Sequence, residues 1–214
     1  MRYVALDINA KIVSLKKARC VPNLDVTRSM FNDYGPLLEL GRYTDARDLL
    51  LYCRKVYQKE KYIEGLGLVF GALADLEYAV DHIDQAVRFG KIALKYNYTT
   101  MEPLSIALSH YKMADFLHKI DFKFAVIQTL AAVIINHQMG IDKFASGSKS
   151  LIIDLIKFGP DALPTSFDQL CAKLEEFNGV HFRELFEQLN RTFVNGDDAL
   201  QAAIFNMLAM AKQN

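Results

Sequence analysis

Apolar residues recur at spacings of three and four along nearly the whole chain. No stretch alternates apolar and polar positions between turns, so the pattern predicts helices and no strands. Val4, Ile8, Ile12 and Leu15 form one stripe of a first helix over 3–20, which Pro22-Asn23 ends. A second helix is expected over 24–40, bent or delayed by Gly35-Pro36. Thr44 or Asp45 can cap the next helix, which runs into the basic, aromatic stretch Tyr52–Tyr62. Helices follow over 62–80 and 82–96. Thr100 with Glu102-Pro103 then opens a hairpin over 102–139 that Gly140 closes. A helix over 148–158 is stopped by Gly159-Pro160, and Pro160–Pro164 is linker-like. Thr165 or Ser166 caps a helix closed by Asn178-Gly179, and two more are expected over 180–190 and 197–212.

One hinge recurs within this pattern. Gly41-Arg42-Tyr43-Thr44-Asp45-Ala46 is followed by Asp81-His82-Ile83-Asp84-Gln85-Ala86 and then by Ile120-Asp121-Phe122-Lys123-Phe124-Ala125. Four residues after each alanine stand Leu50, Gly90 and Thr129, and seven after stand Cys53, Ala93 and Ala132. Small residues one and two turns along a helix let a neighbour approach closely, so the recurrence reads as stacked αα-hairpins with Ala46, Ala86 and Ala125 buried at helix contacts.

The first hinge resembles the tetratricopeptide repeat, whose Gly-x-Tyr-x-x-Ala turn is matched by Gly41, Tyr43 and Ala46. The second copy keeps Ile83 and Ala86, the third Phe122 and Ala125, and the spacing exceeds the usual repeat of about 34 residues. Residues 104–132, with Leu163-Pro164 through Gly179-Val180-His181-Phe182, are similar to C-terminal repeat regions of large bacterial multidomain signalling proteins. The resemblance implies an all-α solenoid of αα-hairpins, a tetratricopeptide-like superhelix, over 1–158, with 165–214 as a C-terminal helical cap packed on the last repeat. It also implies a non-enzymatic, cytoplasmic scaffold that binds a protein or peptide in a concave groove. The groove would be lined by helices 24–40, 62–80 and 102–119. Its expected exposed residues are Arg28, Asn32, Glu39, Asp75, Tyr78, His110, Tyr111 and His118, tyrosine and histidine offering apolar area and hydrogen bonds together. One subgroup of the family clamps a peptide carboxylate with Lys, Asn and Arg. The matching positions here are Phe31, Gly35, Gly71, Asp75, His110 and Ala114, so that clamp is absent.

Composition changes this picture little. The 214 residues are 51% hydrophobic, enough for a sizeable core, and the formal net charge is zero, which gives no bulk attraction to nucleic acid or membrane. The charge is polarised: residues 1–70 carry 12 Lys/Arg against 8 Asp/Glu, and residues 150–214 carry 5 against 9. A nucleic-acid-binding helical protein is therefore the alternative function. It would use Tyr52, Arg54, Lys55, Tyr57, Lys59, Lys61 and Tyr62, which interleave stacking surfaces with cations. Cys20, Cys53 and Cys171 are odd in number and widely spaced, which points to a reducing compartment. No secretory signal or membrane span is expected. His110 and His118 fall two turns apart with Asp115 nearby, and His181 sits three before Glu184, but neither set completes a metal site or an acid–base pair. Ser146-Gly147-Ser148-Lys149-Ser150 lacks the Gly-Lys-Ser order and the preceding strand of a phosphate loop. No cofactor, metal or catalytic residue is expected.

Overall fold

The computed structural model describes residues 2–141, 164 and 166–192. Among these it is all-helical, with helices α1 (Arg2–Ala18), α2 (Asn23–Phe31), α3 (Tyr34–Glu39), α4 (Tyr43–Lys59), α5 (Ile63–Ala79), α6 (Ile83–Thr100), α7 (Pro103–Leu117), α8 (Phe122–Gln138), α9 (Phe167–Asn178) and α10 (Phe182–Thr192). The expected helices over 148–158 and 197–212, the segment Ser146–Ser150 and residues 160–163 of the linker lie outside the described residues. The chain parts into two compact units, one ending at Tyr96 and one starting at Asn97, a division within α6 that no sequence signal marks.

A single turn geometry recurs at several of these helix ends. Cys20, Gly41, Lys61, Asp81 and Met101 all take positive φ, between 52° and 70°. At the first four of these, the N–H of the following residue reaches back to a carbonyl five residues earlier: Val21 to Lys16, Arg42 to Leu37, Tyr62 to Tyr57 and His82 to Glu77. This Schellman closure satisfies carbonyls the helix end leaves open. The next helices begin at 43, 63, 83 and 103, so a twenty-residue helix–turn unit underlies the forty-residue recurrence seen in the sequence. Ala46, Leu66, Ala86, Ile106 and Ala125 hold equivalent places in successive helices, and all are buried. The small residue marks alternate helices, and the intervening ones carry a large one. The third hinge departs from the pattern, since Asp121 has φ −149° and its side chain instead caps α8 by accepting the Phe124 N–H at 3.2 Å.

Several boundaries differ from expectation for local reasons. The helix expected over 24–40 breaks at Asn32-Asp33 rather than at Gly35-Pro36. Pro36 then sits in the first turn of α3, where a missing N–H costs nothing. Neither Thr44 nor Asp45 caps α4, which starts at Tyr43 without a side-chain cap; Asp45 pairs with Arg42 at 2.6 Å. The start at Glu102-Pro103 is as expected: Glu102 caps α7, accepting from the Leu104 and Ser105 N–H groups, with Pro103 at the first helical position. Ser166 caps α9 through the Gln169 N–H at 3.2 Å, and Gly179, at φ 63°, closes it.

In the first unit α4 packs on α2, α3 and α5. Leu50, Cys53 and Tyr57 of α4 meet Leu66, Val69, Phe70, Leu73 and Leu76 of α5, with Leu37 and Ala93 completing the cluster. An added Cβ at Gly71 would lie 4.0 Å from the Ala93 Cβ, an ordinary van der Waals contact between α5 and α6, and Phe70 stacks on Tyr96 at 5.7 Å. Buried Glu77 ties α4 to the turn before α6 by pairing with Arg47 and, at 3.0 Å, with His82. The apolar stripe of α1 does not join this core: Val4, Ile8, Ile12 and Leu15 are exposed. A different face holds α1: Leu6 packs against the core, and the buried Asn9 amide donates to the Ser29 carbonyl and the Asp33 carboxylate at 2.8 Å each.

In the second unit α7 packs on α8, and α9 and α10 also pack on α8. Residues from Ala125 to Asn136 of α8 are all buried, as expected of a helix covered on every side. Phe124 stacks on Phe177 of α9 at 4.2 Å, and Leu170, Leu174, Phe182, Leu185 and Leu189 bury the apolar faces of α9 and α10.

Candidate functional site

A cavity of about 420 Å³ opens in the first unit, lined by Lys16, Asp25, Arg28, Ser29, Phe31, Asn32, Tyr57, Tyr62 and Leu68. Four elements build it. The early break of α2 leaves Asn32 and Phe31 at its rim, α1 contributes Lys16, α4 contributes Tyr57, and the turn into α5 contributes Tyr62. Tyr57 is buried and meets Tyr62 edge-on, ring centroids 5.2 Å apart, so together they form an aromatic wall. That wall depends on Gly65, where an added Cβ would fall 2.3 Å from a Tyr62 ring carbon and 2.7 Å from one of Tyr57. Leu68 projects half-exposed beside it.

Two cations and one carboxylate sit against this wall, leaving the cavity net positive. The Arg28 guanidinium lies 5.4 Å from the Tyr62 ring centroid and 3.7 Å from the Asp25 carboxylate. Lys16 donates to two neutral acceptors, Ser29 Oγ at 2.7 Å and the Asp25 carbonyl at 3.3 Å. Ser29 in turn donates to that same carbonyl, so its hydroxyl proton is directed at backbone and the Lys16 amine serves it as a donor, not a base. Burial pushes the Tyr57 phenol up, and the neighbouring Cys53 and Tyr62 push it the same way, against a smaller opposite pull from Arg28. The lining therefore offers a neutral hydroxyl, an amide and two cations over an aromatic floor. This is recognition chemistry for a group that joins apolar and polar or anionic parts.

Of the eight residues expected to line a groove, the cavity brings together Arg28 and Asn32. Glu39 is exposed on α3 and paired with Arg2. Asp75 and Tyr78 are half-buried on α5 and do not line the cavity. His110, Tyr111 and His118 belong to the second unit. His110 does not stand on a surface as expected, for it is fully buried. Its Nδ1 donates to Gln128 Oε1 at 2.7 Å and its Nε2 accepts from the Tyr98 hydroxyl at 2.9 Å, while Asn178 Nδ2 also donates to Gln128 Oε1 at 3.1 Å. Burial lowers its pKa to about 4, a loss only partly offset by the Gln128 bond, so the ring is neutral and structural. Tyr111 is half-buried, and His118 is exposed with its ring 5.5 Å from Phe122. The two histidines thus occupy different environments and not one shared face.

Sequence reasoning missed Lys16, Asp25, Ser29 and Leu68 altogether, named Phe31 only as a position lacking the clamp chemistry, and grouped Tyr57 and Tyr62 with the basic patch instead. The available clue was Gly65, three residues past Tyr62 in an otherwise good helix, where close approach by a ring leaves no room for a Cβ. In the basic patch Tyr57 belongs to the core and Tyr62 is half-buried, while Tyr52, Lys55, Lys59 and Lys61 are exposed. His181 pairs with Glu175 at 3.4 Å, not with Glu184. Cys53 is buried, its thiol pushed up to about 12 by desolvation, which makes it inert filler. Among the described residues no three His, Cys, Asp or Glu side chains converge as metal ligands, and no helix is long and apolar enough to cross a membrane. No protein-family model, curated protein or solved structure matches the chain.

Proposed function

We propose that this protein is a non-enzymatic scaffold, tetratricopeptide-like in its hairpin stacking, that binds a peptide or protein segment in the cavity between α1, α2, α4 and α5. The observation that carries this is the cavity itself. Its volume of about 420 Å³ suits one or two side chains, and its aromatic wall and half-exposed Leu68 give apolar area beside Arg28 and Asn32. Three free cysteines support a reducing, cytoplasmic setting. Peptide-display selection on the full chain, followed by Arg28→Ala and Tyr62→Ala, tests it. Selected peptides should bind at least about tenfold more weakly to each variant, the cost of losing a contact worth about 1.4 kcal/mol. Peptides that bind wild type and both variants alike would place recognition elsewhere. The nucleic-acid alternative rests on exposed Tyr52 beside Lys55, Lys59 and Lys61. It would show as salt-dependent RNA or DNA binding lost when Arg54, Lys55, Lys59 and Lys61 become Glu, with Tyr62→Ala silent.

A further inference from the structure

Among the described residues, the outer face of α1 gathers the longest run of exposed large apolar side chains on one helix. Tyr3, Val4, Ile8, Ile12 and Leu15 are 42% to 66% exposed, and four of them make the continuous stripe that the periodicity marks. A helix normally turns such a stripe inward. Here the inward face is a mixed one: Leu6 packs on the core and Val13 is half-buried, while Asn9 bonds the Ser29 carbonyl and Asp33 and Lys16 bonds Ser29 Oγ. The stripe is therefore left over after α1 has docked, and rotating it inward would strand those buried hydrogen bonds. Five side chains exposed to this degree present on the order of 500 Å² of apolar surface, at the upper end of what a monomer shows.

We propose that this stripe is a self-association surface, pairing α1 with α1 of a second copy of the chain, antiparallel about a twofold axis. The stripe is close to symmetric end to end. An antiparallel pair sets Val4 against the second copy's Leu15 and Ile8 against its Ile12. Asp7 and Lys11, both exposed and one turn apart on the same flank of the stripe, then meet the second copy's Lys11 and Asp7. The pairings centre on positions 9.5, 10 and 9, within about half a residue of one another, so a single antiparallel register brings the apolar contacts and the charges together. In a twofold interface each copy offers the same patch, and the combined burial of roughly 1,000 Å² reaches the lower bound for a specific contact.

Sedimentation velocity on the full chain, at concentrations on the order of 50 µM, above the micromolar dissociation constants such an area supports, tests this. Wild type should sediment as a dimer. Ile8→Glu and Ile12→Glu should each give a monomer that keeps the far-UV circular dichroism of wild type, since both side chains are exposed in the single copy. Asp7→Lys and Lys11→Asp should each weaken the dimer severalfold, and the double exchange should restore it. A monomeric wild type, including one whose stripe is taken up by lipid vesicles, overturns the proposal. So does a dimer indifferent to Ile8→Glu and Ile12→Glu, or a double exchange no better than the single ones.

Discussion

His110 gives the sharpest test of the second unit, because its burial sets a pH dependence in both sign and size. The folded ring is neutral with a pKa of about 4, against an ordinary 6.5 in the unfolded chain. Below pH 6.5 the unfolded chain takes up a proton that the folded one refuses, so acid favours unfolding. The contribution is fully present above pH 6.5 and is lost as pH falls toward 4, below which both states are protonated. Each unit of the shift is worth about 1.4 kcal/mol, so stability should fall by about 3 kcal/mol between pH 7 and 4. Glu77, held below the usual carboxylate range chiefly by Arg47, adds its own loss as pH falls through its unfolded value of 4.5, so the slope above about pH 5.5 is the part free of it. Urea unfolding followed by far-UV circular dichroism at a series of pH values reads the slope. The His110 ring resonances read the pKa directly. His110→Gln, which keeps a donor and an acceptor for Gln128 and Tyr98, should flatten the slope whatever it does to absolute stability. A His110 that titrates near 6.5, or a slope unchanged in the variant, would refute the burial and the hydrogen-bond scheme together.

Gly65→Ala should cost about 1–3 kcal/mol in urea unfolding, because its methyl overlaps the Tyr57 and Tyr62 rings, and it should weaken any ligand of the cavity. An unshifted midpoint would contradict that packing. Ala86→Glu puts an unpaired carboxylate at a fully buried helix contact and should cost on the order of 3 kcal/mol, so a wild-type melt would disprove the contact. Lys61→Gly should raise stability by about 1 kcal/mol, since the exposed Lys61 holds a left-handed conformation at φ 53° that only glycine takes without strain. A loss in the same denaturation assay would mean that the Lys61 side chain makes a compensating contact.

The all-α fold was legible because helical periodicity, capping residues and glycine stops are local, and each acts within a few residues of itself. Glu102-Pro103, Ser166, Gly140 and Gly179 mark helix ends in the sequence and do so in the structure. The spacing of Ala46, Ala86 and Ala125 likewise announced buried helix contacts. The twenty-residue period beneath it stayed hidden, because a Schellman turn accepts Cys20, Lys61 or Asp81 as well as Gly41 and so leaves no constant residue to read. The cavity was not legible beyond Arg28 and Asn32. Lys16 and Ser29 stand thirteen residues apart and meet only because Asn9 docks α1 on α2, and Tyr57 turns inward only because Gly65 makes room. The same limit applies to α1 and to His110. Periodicity names the apolar side of a helix, and composition names a polar ring, but neither says what stands opposite. Only the partners brought across the fold, Ser29 and Asp33 for α1, Tyr98 and Gln128 for His110, decide that an apolar stripe faces outward and a histidine lies in the core.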